Sequence, residues 1–526
     1  MHSITFRGVT KGHGARLLLD RVSLVVGAGS RIGLVGPNGV GKTTLLRLLA
    51  GLDAPDSGSI VRSPPELAVA YLPQELDAHA GETLLAYLER RTGVAAAAAE
   101  MDALADRLPE EVAAYSEALE RFLARGGGDF EIRAAAAAAE VGLPDRLDQP
   151  LESFSGGEAA RARLAALLLA RFEVFCLDEP TNDLDFAGLE RLERFVAELR
   201  GSLVVVSHDR AFLDRTVTRI VEIEEGSGGL REWAGGWSDY EAARERARAA
   251  QYRRFEEVEG RRRELEALVR DRREQARTGS SLAKRTGGAD RRGTHALQTK
   301  VRQAERALER LERVDKPFEP WRLQLVLAPT SRSGAVVVRL DGAVLERGSF
   351  RLGPLDLELR YGDRLAVIGP NGSGKSTLLG ALLGEVPLAV GRRTLGRGVV
   401  VGDLDQRRAR FDDETPLVEA FARAAAMPAG EARTLLAKFG LGAEDVLRPG
   451  ATLSPGERTR AAVALVTARG VNCLVLDEPT NHLDLPAIEE LEAALEAFAG
   501  TVVLVTHDRR LLERFELTSE LRLPLG

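Results

Sequence analysis

Apolar residues in this chain fall into two sets of short runs that recur in the same order. RIGLVG (31–36) and RLAVIG (364–369) are apolar runs of strand length that end in glycine-rich loops, and the TLLRLLA and TLLGALLG that follow read as helices. VFCLDEP and CLVLDEP, then LVVVSHD and VVLVTHD, are further apolar runs that stop at acidic residues or at a histidine. Runs of this kind read as buried strands, so the pattern predicts an α/β fold written twice.

The spacing of the landmarks makes the duplication explicit. Lys42, Ser155, Asp178 and His208 reappear as Lys375, Ser454, Asp477 and His507. The serine-to-aspartate interval is 23 residues in both copies and the aspartate-to-histidine interval is 30 in both. Unrelated domains would not share these intervals, so the chain contains a duplicated domain. From lysine to aspartate the first copy spans 136 residues and the second 102, which leaves 34 additional residues between Gln74 and Ser155. That stretch is rich in alanine, glutamate and arginine and predicts an enlarged helical subdomain.

Between the copies the period changes. After WAGGWSDY (233–240), Phe255, Val258, Leu265 and Leu268 fall at the intervals of an apolar helical seam, as do Val301, Ala304, Leu308 and Leu311. RTGSSLAKRTGGADRRGTH lies between them and has the glycine and serine content of a turn. The pattern predicts an antiparallel helical hairpin whose tip carries Arg277, Lys284, Arg285, Arg291 and Arg292. Expected boundaries are 1–236 for the first domain, 237–320 for the linker and 321–526 for the second domain.

Composition changes the picture in three respects. A chain of 526 residues with 44% hydrophobic content is long enough for two or three filled cores. It has no apolar stretch of the roughly 20 residues that cross a bilayer, and the start lacks a secretory apolar core, so a cytoplasmic location without a stable membrane partner is expected. The formal charge of -7 conceals an asymmetry: residues 241–316 hold 22 Lys plus Arg against 14 Asp plus Glu, a local +8 that leaves -15 elsewhere. The linker is therefore the candidate polyanion-facing part, although a solvated spacer has the same composition. Cys176 and Cys473, each just ahead of LDEP, read as buried filler, and any metal should be Mg2+ carried largely by nucleotide phosphates.

The candidate chemistry sits at the ends of the apolar runs. The glycine-rich loops comprise Gly36, Pro37, Asn38, Gly39, Gly41, Lys42, Thr43 and Thr44, and Gly369, Pro370, Asn371, Gly372, Gly374, Lys375, Ser376 and Thr377. Their glycines let backbone amides close around phosphate oxygens at a helix start, the lysines reach the terminal phosphates, and Thr43 and Ser376 suit magnesium. Asp178 and Asp477 are placed for the same ion, directly or through water. Glu179 and Glu478 are placed to orient the attacking water and accept its proton, with His208 and His507 approaching the terminal phosphate.

SFSGGE (153–158), TLSPGE (452–457) and the repeated DEPTN, followed by DLD or HLD, resemble the ABC ATPase superfamily. Two fused copies joined by a basic hairpin, with DEPTNHLD at 477–484, resemble its ABC-F branch of ribosome-associated translation factors and antibiotic-resistance proteins. The fold this resemblance implies is two tandem ABC-type P-loop ATPase domains joined by an α-helical hairpin linker. It also implies that ATP is sandwiched between the phosphate loop of one domain and the signature loop of the other. One site would then combine Lys42, Thr43, Gln74, Asp178, Glu179 and His208 with Ser454, Gly456 and Glu457. The second would combine Lys375, Ser376, Gln406, Asp477, Glu478 and His507 with Ser155, Gly156, Gly157 and Glu158. Gln74 and Gln406 are similar to glutamines that sense magnesium and the attacking water.

Two departures qualify the resemblance. Pro455 replaces a signature glycine and removes an amide, which predicts two competent but unequal sites. No tyrosine stands at the adenine-stacking position, where His13 and Phe350 are the nearest rings, so preference for ATP over GTP rests on the family. The implied function is ATP hydrolysis coupled to binding and release of the bacterial 70S ribosome, through rRNA and the peptidyl-site tRNA. The linker would point towards that tRNA and the peptidyl-transferase region, giving antibiotic resistance or relief of stalled translation. Alternatives are an ATPase of DNA maintenance or macromolecular assembly, and the energising subunit of a transporter.

Overall fold

The computed structural model describes residues 2–14, 16–105, 107, 111–286, 303, 306, 334–348, 350–404, 411, 413–481 and 483–524. The first half contains β1 (Ser3–His13), β2 (Arg16–Gly27), β3 (Arg31–Val35), β4 (Ser57–Ser63), β5 (Val69–Leu72), β6 (Val174–Asp178), β7 (Ser202–Val206), β8 (Arg219–Ile223) and β9 (Leu230–Ala234). The second contains β10 (Val336–Arg347), β11 (Phe350–Arg360), β12 (Arg364–Ile368), β13 (Val390–Leu395), β14 (Val401–Leu404), β15 (Cys473–Asp477), β16 (Thr501–Val505) and β17 (Ser519–Arg522).

Each half pairs an antiparallel sheet with a mostly parallel one. The orders are β2-β1-β4 and β5-β6-β7-β3-β8-β9 in the first half, then β11-β10-β13 and β14-β15-β16-β12-β17 in the second. The continuous apolar runs of the sequence are the central strands: every residue of β6, β7 and β16 but Asp178 is apolar, serine or threonine, and all are buried. The helix Lys42–Ala50 is wedged between the two sheets, where Leu45 and Leu48 meet Phe6, Leu24, Cys176 and Val204. Leu378 and Leu382 do the same in the second half, against Leu340, Cys473 and Val503. Cys176 and Cys473 are free and buried, and burial pushes both thiols up to about 12. The sequence reading of them as filler holds.

The 34 extra residues of the first half fold around the helices Val94–Ala105 and Val112–Ala124, which pack on one another. In the second half the helix Leu417–Ala425 is followed directly by Ala429–Lys438.

The chain divides into one unit of residues 1–238 and 323–526 and another of residues 239–322. Within the first unit Trp237 is buried, and the amide and hydroxyl of Ser238 donate to Asp214 at 2.6 Å each. Gly236 permits this approach, because a Cβ there would stand 2.9 Å from the Asp214 carboxylate. The helix that begins here, Trp237–Thr286, has 50 residues and a length of about 75 Å. Pairs such as Arg262 with Glu259 (3.0 Å) and Glu266 (3.1 Å) lace its exposed surface. Arg277, Lys284 and Arg285, expected in a turn, belong to this helix. Once a long helix is propagating, a single Gly279 and two serines cost it too little to stop it. Arg291, Arg292, the returning arm at 301–311 and Trp321 fall outside the described residues, apart from positions 303 and 306.

Candidate functional site

Both glycine-rich loops join a buried strand to the start of a helix. Lys42 Nζ donates to the carbonyls of Gly36 (2.7 Å) and Pro37 (3.1 Å), and Lys375 makes the same bonds to Gly369 (2.7 Å) and Pro370 (3.1 Å). Burial lowers the pKa of each lysine, while Glu179 or Glu478 opposes the shift. Ser376 Oγ donates to Asp477 Oδ2 at 2.6 Å, and Thr43 stands near enough to Asp178 to oppose the rise that burial gives its pKa. Tyr71 Oη adds a donor to Asp178 at 3.4 Å. Among the described residues no three His, Cys, Asp or Glu side chains form a metal cluster. A hydroxyl beside a carboxylate in each site fits Mg2+, a hard ion that keeps phosphate and water among its ligands.

The acidic strand ends lead directly to the histidines. Glu179 is buried and Glu478 nearly so, each with φ of 47°, a left-handed conformation rare for a residue with a side chain. Their amides are anchored on Val206 and Val505, the last residues of the adjacent strands. Glu179 Oε2 accepts from the amide of His208 at 3.2 Å, and His208 Nε2 lies 3.2 Å from Oε1. Glu478 and His507 repeat this at 3.2 and 3.3 Å. Burial pushes both glutamates well above the usual carboxylate range and depresses the histidines, His208 to about 3 and His507 to about 4. Each site therefore pairs a neutral imidazole with a carboxyl group of raised basicity.

The signature loops are capping boxes. Ser155 Oγ accepts from the amide of Glu158 (3.4 Å) while Glu158 Oε2 accepts from that of Ser155 (2.8 Å), starting the helix Gly156–Leu169. Ser454 and Glu457 do likewise at 3.2 and 2.7 Å. Pro455 occupies the first turn of Pro455–Ala468, where its missing amide breaks no helical bond. Ser454 keeps φ/ψ of -64/157 against -67/162 for Ser155. The proline thus preserves the loop and removes one amide donor.

Contacts between the halves face these loops towards each other. A cleft of about 1110 Å³ is lined by Ser155, Gly156, Gly157 and Glu158 from the first half, and by Asn371, Lys375, Ser376, Asp477, Glu478 and His507 from the second. Asp185 Oδ1 caps its own helix through Gly188 (2.9 Å) while Oδ2 accepts from the amide of Asn371 (3.0 Å). Asp484 mirrors it, with Ala487 at 3.2 Å and Asn38 at 3.1 Å. Asn371 Nδ2 also donates to the Asp183 carbonyl (2.8 Å), and the rings of His507 and Phe186 meet in a T-shaped contact with centroids 5.1 Å apart. Deeper in the seam Arg210 is paired bidentately with Glu492, both fully buried, and Arg509 meets Glu193 at 2.6 Å.

The structure therefore brings Ser155, Gly156, Gly157 and Glu158 into one cleft with the second loop. Gln74 is exposed two residues beyond β5, Phe350 and Arg347 line the cleft beside Gly374, and Gln406 lies outside the described residues. Sequence reasoning assigned no role to Asp185, Asp484 or the Arg210–Glu492 pair. The aspartates carried a signal, an N-cap residue immediately before an amphipathic helix. The ion pair carried none, because its partners are 282 residues apart.

Comparison with known proteins agrees with this geometry. The chain matches the family described as ABC transporter over residues 19–182 and 352–481. It is 38% identical to the tylosin resistance ATP-binding protein TlrC of Streptomyces fradiae, over 97% of this chain and 96% of that protein. The ABC transporter F family member 2 of Arabidopsis thaliana is 30% identical over 97% of this chain and 75% of its own length. The energy-dependent translational throttle protein EttA of Mycobacterium tuberculosis is 32% identical over 97% and 89%.

Proposed function

Because this chain belongs to the ABC-F family of ATP-binding-cassette ATPases, we propose that it uses ATP binding and hydrolysis to engage and leave the ribosome. The observation that carries this reading is the cross-contact at the seam. The loop of each half is touched by an aspartate of the other, and the second loop shares a cleft with the first signature helix. In this reading Lys42 and Lys375 leave their carbonyl partners for the phosphates, and the loop amides bind the phosphate oxygens. Mg2+, held beside Thr43 and Asp178 or Ser376 and Asp477, would neutralise the charge of the transferred phosphoryl group. Glu179 and Glu478 take a proton from the attacking water, while the neutral His208 and His507 orient beside them. Gln74 and Gln406 serve the ion and that water.

Nucleotide held between the halves favours closure, and hydrolysis removes that bias. The boundaries 1–236, 237–320 and 321–526 make the basic middle segment the part that meets rRNA and the peptidyl-site tRNA. Similarity to TlrC over nearly the whole of both chains favours a resistance role, and similarity to EttA favours general control of translation.

The test is cosedimentation with 70S ribosomes preloaded with labelled tylosin, using Glu179→Gln with Glu478→Gln to hold the ATP-bound state. The variant should pellet with ribosomes only when ATP is present, and under the resistance reading the pellet should lose label. Trapping with the label retained would select translation control. No trapping despite measured ATP binding would overturn the ribosomal reading.

A further inference from the structure

The two halves hold their glutamates identically but brace them differently. Arg163, on the signature helix of the first half, is 5% exposed and donates through Nη2 to the main-chain carbonyl of Glu179 at 3.3 Å. Its Nε has no hydrogen-bond partner, and Asp178 and Asp183 are the carboxylates whose fields reach it. Tyr87, wholly buried on the helix Leu84–Thr92, has no hydrogen-bond partner for its hydroxyl and acts on Arg163 through its electrostatic field. One turn on, Arg91 donates to Asp77 (3.1 Å) and to the carbonyl of Tyr71, whose hydroxyl reaches Asp178. Arginines and tyrosines thus form a layer beneath the Asp178–Glu179 strand end.

Among the described residues the second half has no equivalent of this layer. Eight residues beyond the signature serine, where the first half has Arg163, the second has Ala462. The helices Leu84–Thr92 and Leu417–Ala425 are equal in length and preceded by equivalent bridges, Thr83 to Pro150 and Pro416 to Pro449. Tyr87 and Arg91 therefore correspond to Ala420 and Ala424. Strand register places Asp403, opposite Val475, where the first half has Tyr71, opposite Cys176.

We infer that Arg163 is a positioning residue for Glu179, that only the first ATP site has one, and that this inequality, rather than Pro455 alone, separates the turnover of the two sites. A left-handed backbone at a residue with a side chain persists only where its surroundings hold it. A buried guanidinium on the Glu179 carbonyl fixes the peptide plane that follows, and hence the direction of the carboxylate beside His208. Glu478 has the same φ of 47° with a methyl group at the bracing position. Its carboxylate samples a wider range, and fewer of its orientations suit the attacking water.

This inference rests on the reading of Glu179 and Glu478 as the bases of their sites. Single backgrounds isolate each site: Glu478→Gln leaves the first to turn over, and Glu179→Gln leaves the second. Arg163→Met, which keeps most of the volume, should slow first-turnover phosphate release about tenfold in the Glu478→Gln background, with KM for ATP changed less than about twofold. It should leave the rate in the Glu179→Gln background unchanged, and Arg163→Lys should recover part of the loss. Where Arg163→Met folds poorly, Tyr87→Phe should slow the same site by a smaller factor and leave the other unaffected. An equal fall in both backgrounds, or an unchanged rate in the first, would overturn the inference. A Glu179→Gln protein whose first site still turns over normally would instead overturn the assignment of the base.

Discussion

Glu179 and Glu478 show how far a fold can move an ordinary carboxyl group. Each sits at a strand end with its amide anchored to the neighbouring strand and its oxygens turned to a histidine that burial keeps neutral. Burial is the largest influence, and it carries both from 4.5 to about 8, although a lysine in each site opposes it. Because the folded protein binds these protons more tightly than the unfolded chain, the associated stability is complete below about pH 4.5 and is lost as pH rises through about 8. Thermal unfolding of the nucleotide-free protein should therefore give a lower Tm at about pH 9 than at about pH 6, by an amount that shrinks in Glu179→Gln with Glu478→Gln, since glutamine cannot ionise. An unchanged pH slope in the double variant would place the titrating groups elsewhere. The tandem DE pairs were legible as sequence, but their left-handed backbone was not, because it depends on the register of β6 with β7 and of β15 with β16.

At the scale of elements, the helices Phe186–Glu198 and Leu485–Ala497 do two things with one residue. Asp185 and Asp484 cap them with one oxygen and hold the opposite loop with the other. Replacing Asp185 by asparagine keeps an oxygen for the cap but turns an NH2 group towards the Asn371 amide, whereas alanine removes both functions. Asp185→Ala should lower stability by about 1 kcal/mol and Asp185→Asn by much less, while both weaken ATP-driven closure, read by fluorescence transfer between probes on the two halves. Closure that survives in Asp185→Asn would mean the bond across the seam is dispensable. The capping boxes at Ser155 and Ser454 belong to this scale too. Their sequence pattern was visible, and the structure shows why Pro455 is tolerated: the first turn of a helix has no use for its amide.

For the molecule as a whole, the seam is built from paired charges. Arg210, which follows His208–Asp209, is buried against Glu492, with Asp508 at 3.9 Å and Arg514 on the same glutamate at 3.0 Å. Its counterpart, Arg509 with Glu193, is partly open to water. Removing one member of a buried pair costs about 3–5 kcal/mol where the charge left behind has no other partner, and somewhat less here because Arg514 stays on Glu492, whereas replacing both by apolar groups can be neutral. Arg210→Met should therefore lower stability strongly in urea unfolding, and Arg210→Met with Glu492→Leu should recover most of the loss. A double variant no more stable than the single one would show that the cluster, rather than the pair, holds the seam. The same reasoning predicts that Arg509→Met costs less, because Glu193 is partly open to water and keeps Arg215 at 3.0 Å.

By itself the sequence determined the duplication, the α/β class, both phosphate loops, the acidic strand ends and the histidines. These are local patterns of period, interval and turn chemistry, and the chemistry they serve requires fixed residue types at fixed spacing. Only the tertiary structure decided which residues meet across the seam, since Asn371 and Asp185 are 186 positions apart and Arg210 and Glu492 are 282. It also decided that the helix entering the linker runs on through Gly279 to Thr286, where composition had suggested a turn. The one-sided layer of Arg163, Tyr87 and Arg91 emerged last: each residue is unremarkable in its own segment, and only their convergence beneath Glu179, with alanines in the matching places, gives them a shared role.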